Sequence, residues 1–301
     1  MIKSISVINY RNERIDMVLD KPELSGFIVR KIDGLGPAKA NINVTDIITT
    51  DGGIFNSARL SSRNIVISLQ FFGEDIETIR QKVYKYFPIK KELIFIVKTD
   101  NRDLQIAGYV ESNEPDIFSK EEGTSISIIC PNPYFYSESL NYTVFAGVEP
   151  TFEFPFSNES LTEPLLIMSE IQNRTENVIS YSGDSDVGVS MYIHCIGPVG
   201  DITIWNINTR QKMVINSQKV SRLINSTAFN PLDDIVIKTE RGVKSIYLVR
   251  EGKFYNILGS LDAGSEWLRI YKGENIYAFT ATSGVENLQF RVENKILYEG
   301  V

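Results

Sequence analysis

The sequence predicts a mainly β protein of two domains, a sheet domain carrying one helix followed by an antiparallel sandwich or jelly roll. Three observations predict it. Most segments alternate apolar and polar residues with period two, the mark of half-buried strands. One stretch in the first half, Asp75 to Phe87, changes to apolar spacings of three and four, the stripe of a helix. At Pro131-Asn132-Pro133 an alternating strand meets two prolines, which lack backbone donors and push the residues before them into extended conformation. The ladder ends there. At 301 residues the chain is also near the size at which one core divides. The expected bounds are 1–137, a junction and linker over 138–164, and a second domain over 165–301.

Taken in order, Ser4 to Tyr10 reads as a strand, and Arg63 to Phe72 is the clearest one, with Ile65, Ile67, Leu69 and Phe71 on one face. Between them, Gly34-Leu35-Gly36-Pro37 and Asp51-Gly52-Gly53 bracket an extended stretch from Ala38 to Thr50, the body of a candidate arm over Ala38 to Phe55. Glycines there permit tight reversals, so the stretch reads as a protruding hairpin or arm. Neither bracket follows a phosphate-loop pattern. The helix over Asp75 to Phe87 places Ile76, Ile79, Val83 and Phe87 together; Asp75 can cap it and Pro88 stops it. Glu92 to Thr99, Leu104 to Ser112 and Thr124 to Cys130 are further strands. Beyond the prolines, Tyr134, Phe135 and Tyr136 offer a stiff apolar surface suited to pinning one domain to the next.

After Phe154-Pro155-Phe156 and a polar link ended by Pro164, short strands resume at 186–195, 201–208, 212–216, 234–239, 243–249, 267–271, 276–281 and 288–293. Turn residues divide them. That spacing suits an antiparallel sandwich or jelly roll, and no helical period stands out in this half.

Composition narrows the function. The net charge is -7, with 17 basic and 19 acidic residues in 1–140 and 14 and 19 in the remainder, and no Lys/Arg run marks a surface for gripping phosphates. Two cysteines, Cys130 and Cys195, are too few for a disulfide framework or a sulfur zinc site. The N-terminus lacks the apolar core of a signal peptide and the apolar runs are of strand length, so folding in the cytoplasm without membrane insertion is expected.

No catalytic constellation emerges. The single histidine, His194, adjoins Cys195 in an alternating strand, so the two side chains face opposite ways. One histidine without a second ligand at metal spacing indicates no metal site, and no cofactor is expected. Asp184-Ser185-Asp186 lacks the full calcium-loop pattern and reads as an Asx-rich turn. Nothing selects a hydrolytic carboxylate pair among 38 acids. Trp205 and Trp267 remain as candidate sugar-stacking rings, which keeps a carbohydrate-binding adhesin open as a second reading.

Taken together, these pieces resemble the distal tail protein family of long, flexible-tailed bacteriophages and phage-tail-like particles. The resemblance runs over nearly the whole chain. It is carried by the strand Ile65 to Phe72 with the helix after it, the Pro131-to-Tyr136 junction, Phe154-Pro155-Phe156 and Gly200-Asp201-Ile202-Thr203-Ile204-Trp205-Asn206 with Asn208-Thr209. Ile235 to Thr239, Gly242 to Ile246 and Trp267 to Asn275 continue it. The resemblance implies an N-terminal tail-tube-like split β-barrel with one helix and a C-terminal galectin-like or jelly-roll sandwich. It further implies a non-enzymatic baseplate hub at the virion tail tip, forming a homo-hexameric ring. In the family the ring joins the tail tube protein to a tail-tip protein, holds receptor-binding proteins and lets DNA pass without specific binding. A ring of one chain needs two unlike patches per copy. The arm, with Ile42, Val44, Ile47, Ile48 and Phe55, is the candidate for one of them.

Overall fold

The computed structural model describes residues 1–47, 51–150 and 169–301, with the backbone alone for 146–150 and 169–173. Ile48, the Phe154-Pro155-Phe156 motif and the polar link lie outside the described residues. The mainly β reading holds, and the chain separates into two units, Met1–Ser139 with Leu297–Val301, and Leu140–Ile296.

The first unit runs β1 (Ile2–Asn9), β2 (Arg14–Val18), α1 (Pro22–Ser25), β3 (Phe27–Asp33), β4 (Ala40–Asp46), β5 (Gly53–Leu60) and β6 (Arg63–Phe71). It continues with α2 (Ile76–Tyr86), β7 (Glu92–Thr99), β8 (Asp103–Asp116), β9 (Gly123–Cys130) and β10 (Phe135–Ser137). Its main sheet follows the order β2-β1-β7-β8-β9-β6-β3, with β10 added beside β8, and the two ends of the path are not laddered together. The barrel is therefore split. One sheet face is continuous core: Ile5 and Val7, Phe95 and Val97, Leu104 and Ile106, Ile126 and Ile128, and Ile65, Ile67 and Leu69 are all buried. Removing side chains of this size from water stabilises by roughly 1.5–3 kcal/mol each.

Helix α2 closes that face with Ile79 and Val83, followed by Phe87 beyond its end, all three buried. Its start is fixed by Asp75, whose carboxylate accepts from the Thr78 amide at 3.1 Å. The single turn α1 was not legible beforehand. It begins at a proline and ends at Gly26, whose φ of 86° is left-handed.

The second unit holds β11 (Asn141–Val144), β12 (Ala146–Pro150), β13 (Ser169–Asn173), β14 (Glu176–Tyr181), β15 (Val187–Gly188), β16 (Ser190–Cys195), β17 (Ile202–Asn206) and β18 (Gln211–Ile215). Then follow α3 (Ser217–Ile224), β19 (Asp234–Lys238), β20 (Ser245–Arg250), β21 (Lys253–Asn256), β22 (Arg269–Ile270), β23 (Gly273–Ala281) and β24 (Leu288–Asn294). A six-stranded sheet, β11-β24-β16-β19-β20-β21, and a four-stranded one, β14-β23-β17-β18, form the sandwich. Met191, Ile193, Ile235 and Ile237 are buried on the first sheet, and Ile204, Met213 and Phe279 on the second. Phe145 meets Phe290 of the first edge-on at 4.7 Å and Phe279 of the second at 5.9 Å, tying the two sheets.

This half also holds helix α3, which no apolar period marks in the sequence. Asn216 caps it by accepting from the Lys219 amide at 3.1 Å, and Asn225 ends it in left-handed conformation. Eight residues with one buried apolar position, Val220, are too short for periodicity to announce. Finally the chain leaves this unit after Ile296, and β25 (Leu297–Tyr298) returns to pair antiparallel with β10 of the first unit.

Candidate functional site

The arm is an antiparallel hairpin of β4 and β5, separate from the main sheet. Val44 pairs with Phe55 and Ile42 with Ala58, and directly opposed residues share a face, so Ile42, Val44 and Phe55 form one apolar surface. That surface is in water: Ile42 is 64% and Phe55 62% exposed, and Val44, Ile47 and Ile54 are exposed as well. Asn56 donates to the Thr45 hydroxyl at 2.6 Å across a bulge. A two-stranded hairpin with both faces solvated is marginal by itself, and an exposed apolar strand pair invites a further surface.

Both stems of the arm converge on Arg63. This side chain is 3% exposed, and its guanidinium donates to the carbonyls of Gly34 at 2.5 Å, Pro133 at 2.7 Å, Glu299 at 2.6 Å, and Gly36. It also lies 4.7 Å above the Phe135 ring. No carboxylate among the described residues pairs with it. Burial lowers its pKa from arginine's ordinary value, with a small opposing effect from Cys130, yet a guanidinium stays charged and the carbonyl oxygens must carry the compensation. Sequence reasoning missed Arg63 although the signal was present. It shares the parity of Ile65, Ile67 and Leu69 and therefore faces the core.

The first sheet's other face has its own character. Across β6, β9 and β8 it presents Asn64, Ser68, Gln70, Ser125, Ser127 and Gln105, with Glu111 accepting from Ser127 at 2.8 Å. No lysine or arginine lies on this face of the three strands. Cations on the flanking strands β3 and β7 are paired to acids, Arg30 to Glu121 at 2.6 Å, Lys31 to Asp33 at 2.8 Å and Lys98 to Asp103 at 3.4 Å.

Of the candidate pin, Phe135 is wholly buried beneath Arg63, while Tyr134 and Tyr136 are half-buried. Tyr136 pairs with Gln105 of β8 and Leu297 of β25, and burial, then Glu92, raises its phenol's pKa. Trp205 sits on β17 with the parity opposite to buried Ile204, in register with Lys212 and Ala278. Trp267 precedes β22, with the Lys244 ammonium 5.2 Å from its ring, and both tryptophans are half-exposed.

Both cysteines and the histidine are strand residues, Cys130 in β9 and His194 and Cys195 in β16. Burial pushes the Cys130 thiol up to about 11, and burial with Asp233 and Asp234 pushes Cys195 up to about 12, so neither is a thiolate near neutrality. His194 Nδ1 contacts Asp234 at 2.7 Å on the half-exposed face, away from buried Cys195. Asp186 is ion-paired with Arg269, and Asp184 lies 3.7 Å from Lys272. Among the described residues no group of three or more His, Cys, Asp or Glu side chains could hold a metal ion, and no helix is long and apolar enough to cross a membrane.

This architecture, a split antiparallel sheet with the amphipathic helix α2 and a projecting hairpin in the first unit and a two-sheet sandwich in the second, is similar in fold to solved phage hub proteins. The particular likeness is to the crystal structure of the SPP1 Dit protein, described as a paradigm of the hub adsorption apparatus in phages infecting Gram-positive bacteria. The TM-score is 0.64 at 11% identity, over 97% of this chain and 98% of that one. A chain of the phage P2 baseplate in its activated conformation with Ca matches with a TM-score of 0.50 and 10% identity, over 98% of each. No family model matches the sequence, and no curated protein does. At such identities the likeness is one of fold.

Proposed function

We propose that the chain is a structural phage tail protein, a hub without catalysis that assembles from copies of itself at the tail tip of a virion or tail-like particle. The observation that carries this reading is the arm. Ile42, Val44 and Phe55 expose an apolar face on a hairpin that finds no packing partner in its own main sheet, as a reach-across element requires. The whole-length fold likeness to a hub protein supports it. Six copies in a ring, tail tube and tail-tip proteins on either side and a receptor-binding component held at the rim complete the proposal.

Replacing residues 40–60 by a short Gly-Ser link is expected to leave a folded monomer that forms no rings by mass photometry. Intact rings would overturn the arm's role. The cation-free face of β6, β8 and β9 is proposed to line the passage for DNA, since a wall offering hydroxyls, amides and Glu111 releases no counterions from phosphates and holds none. Placing lysines at Ser68, Ser125 and Ser127 is expected to slow DNA release from assembled particles, more at low salt. Unchanged release would remove this face from the passage.

The aromatics Tyr134, Phe135 and Tyr136 are read as the pin between units. The chain leaves the first unit just after β10 and re-enters it at β25, which pairs with β10, so one crossing follows these residues and the other arrives at their strand partner.

A further inference from the structure

Residues Leu297–Val301 touch the arm's roots, although they lie more than 200 positions away in sequence. The Val301 amide donates to the Leu35 carbonyl at 3.1 Å, and Arg63 bridges the Glu299 carbonyl to those of Gly34 and Gly36. Residues 34–36 are the root of β4; Arg63 follows the root of β5. Gly300 lies close to the root: an added Cβ would stand 3.2 Å from the Leu35 oxygen, so the neighbouring backbone would have to give by a few tenths of an ångström. Tyr298 anchors the segment: it is buried, it pairs with Phe135, and the Arg102 guanidinium lies 4.5 Å from its ring. Beyond the Ala40–Leu60 pair of the ladder, the Ser61 amide donates to the Lys39 carbonyl at 3.3 Å.

We propose that Leu297–Val301 is a positioning segment for the arm, a latch that ties both stems to Arg63 and fixes the direction in which the hairpin leaves the unit. This rests on the reading of the arm as the contact between copies. A contact element held in its bound direction loses less freedom on association than a swinging one. Unlatching is therefore expected to weaken ring association by roughly tenfold or more, about the cost of ordering one further backbone residue.

The test uses the full chain with Tyr298→Ser, its conservative counterpart Tyr298→Phe, and Gly300→Val, which crowds the Leu35 carbonyl without touching the anchor. Hydrogen exchange and mass photometry are read together. Tyr298→Ser and Gly300→Val are expected to speed exchange about tenfold at 34–40 and 60–63 while β1, β7 and the sandwich strands stay protected, and to shift rings toward monomers. Tyr298→Phe is expected to behave as the parent chain. If Tyr298→Ser unfolds the first unit, the Gly300→Val comparison decides. Unchanged exchange at the stems, or unchanged ring stability with loosened stems, overturns the latch. A parent chain that stays monomeric at every concentration sinks the ring reading instead, and the exchange at the stems still tests whether the segment holds the arm.

Discussion

Arg63 places a full charge in a buried position, and its hydrogen bonds to four carbonyls are what make that tolerable. Arg63→Met would keep much of the volume and leave four carbonyls short of a donor. The expected loss is about 3 kcal/mol or more, read as a lower denaturation midpoint with unchanged slope. Gly34 is bound to the same cluster by its φ of 90°, and a side chain there would run into the Asn64 carbonyl. Gly34→Ala should therefore destabilise by more than about 1 kcal/mol, whereas Gly52→Ala at the arm's tip, equally left-handed but in open space, should cost less. Equal losses at the two glycines would show that backbone strain alone governs both. The parity of Arg63 was readable in the sequence. What it bonds to was not, because its acceptors come from residues 27, 29, 70 and 236 positions away.

Among elements, α2 was the most legible, expected from Asp75 to Phe87 and found as Ile76–Tyr86 between those two caps. Hydrogen bonds from Thr78 hold the Asp75 carboxyl below the usual aspartate range. Its cap is thus fully formed above about pH 4, where an unfolded aspartate ionises, and is lost as the pH falls through the lower folded value. Amide exchange in the first turn of α2 should accelerate in that acid window. Asp75→Asn should abolish the pH dependence and keep the cap; a dependence that persists would assign it to another carboxylate. The arm was legible as a glycine-bracketed extended stretch, since glycine signals reversals locally. Helix α3 and the two-residue β25 were not, because neither repeats its period often enough to stand out, α3 burying one apolar position in eight residues.

For the whole molecule, two units share one chain that crosses twice, once after β10 and once into β25. That doubles the connections an ordinary linker would give. Replacing Tyr134 and Tyr136 by alanine, with Phe135 left in place to spare the Arg63 cluster, is expected to broaden the distance distribution between spin labels on the two units. An unaltered distribution would return these rings to the role of filler in the first unit. Local alternation, the 3.6-residue stripe of α2 and the prolines after β9 determined the mainly β fold and most strands of the first unit, because such patterns are written within a few consecutive residues. Only the tertiary structure decided that Ile42, Val44 and Phe55 stand in water, that Arg63 is buried among carbonyls and that Leu297–Val301 returns to the arm's roots. Those facts depend on which distant segments meet, and a contact between Arg63 and Glu299, 236 positions apart, leaves no periodic trace in either segment.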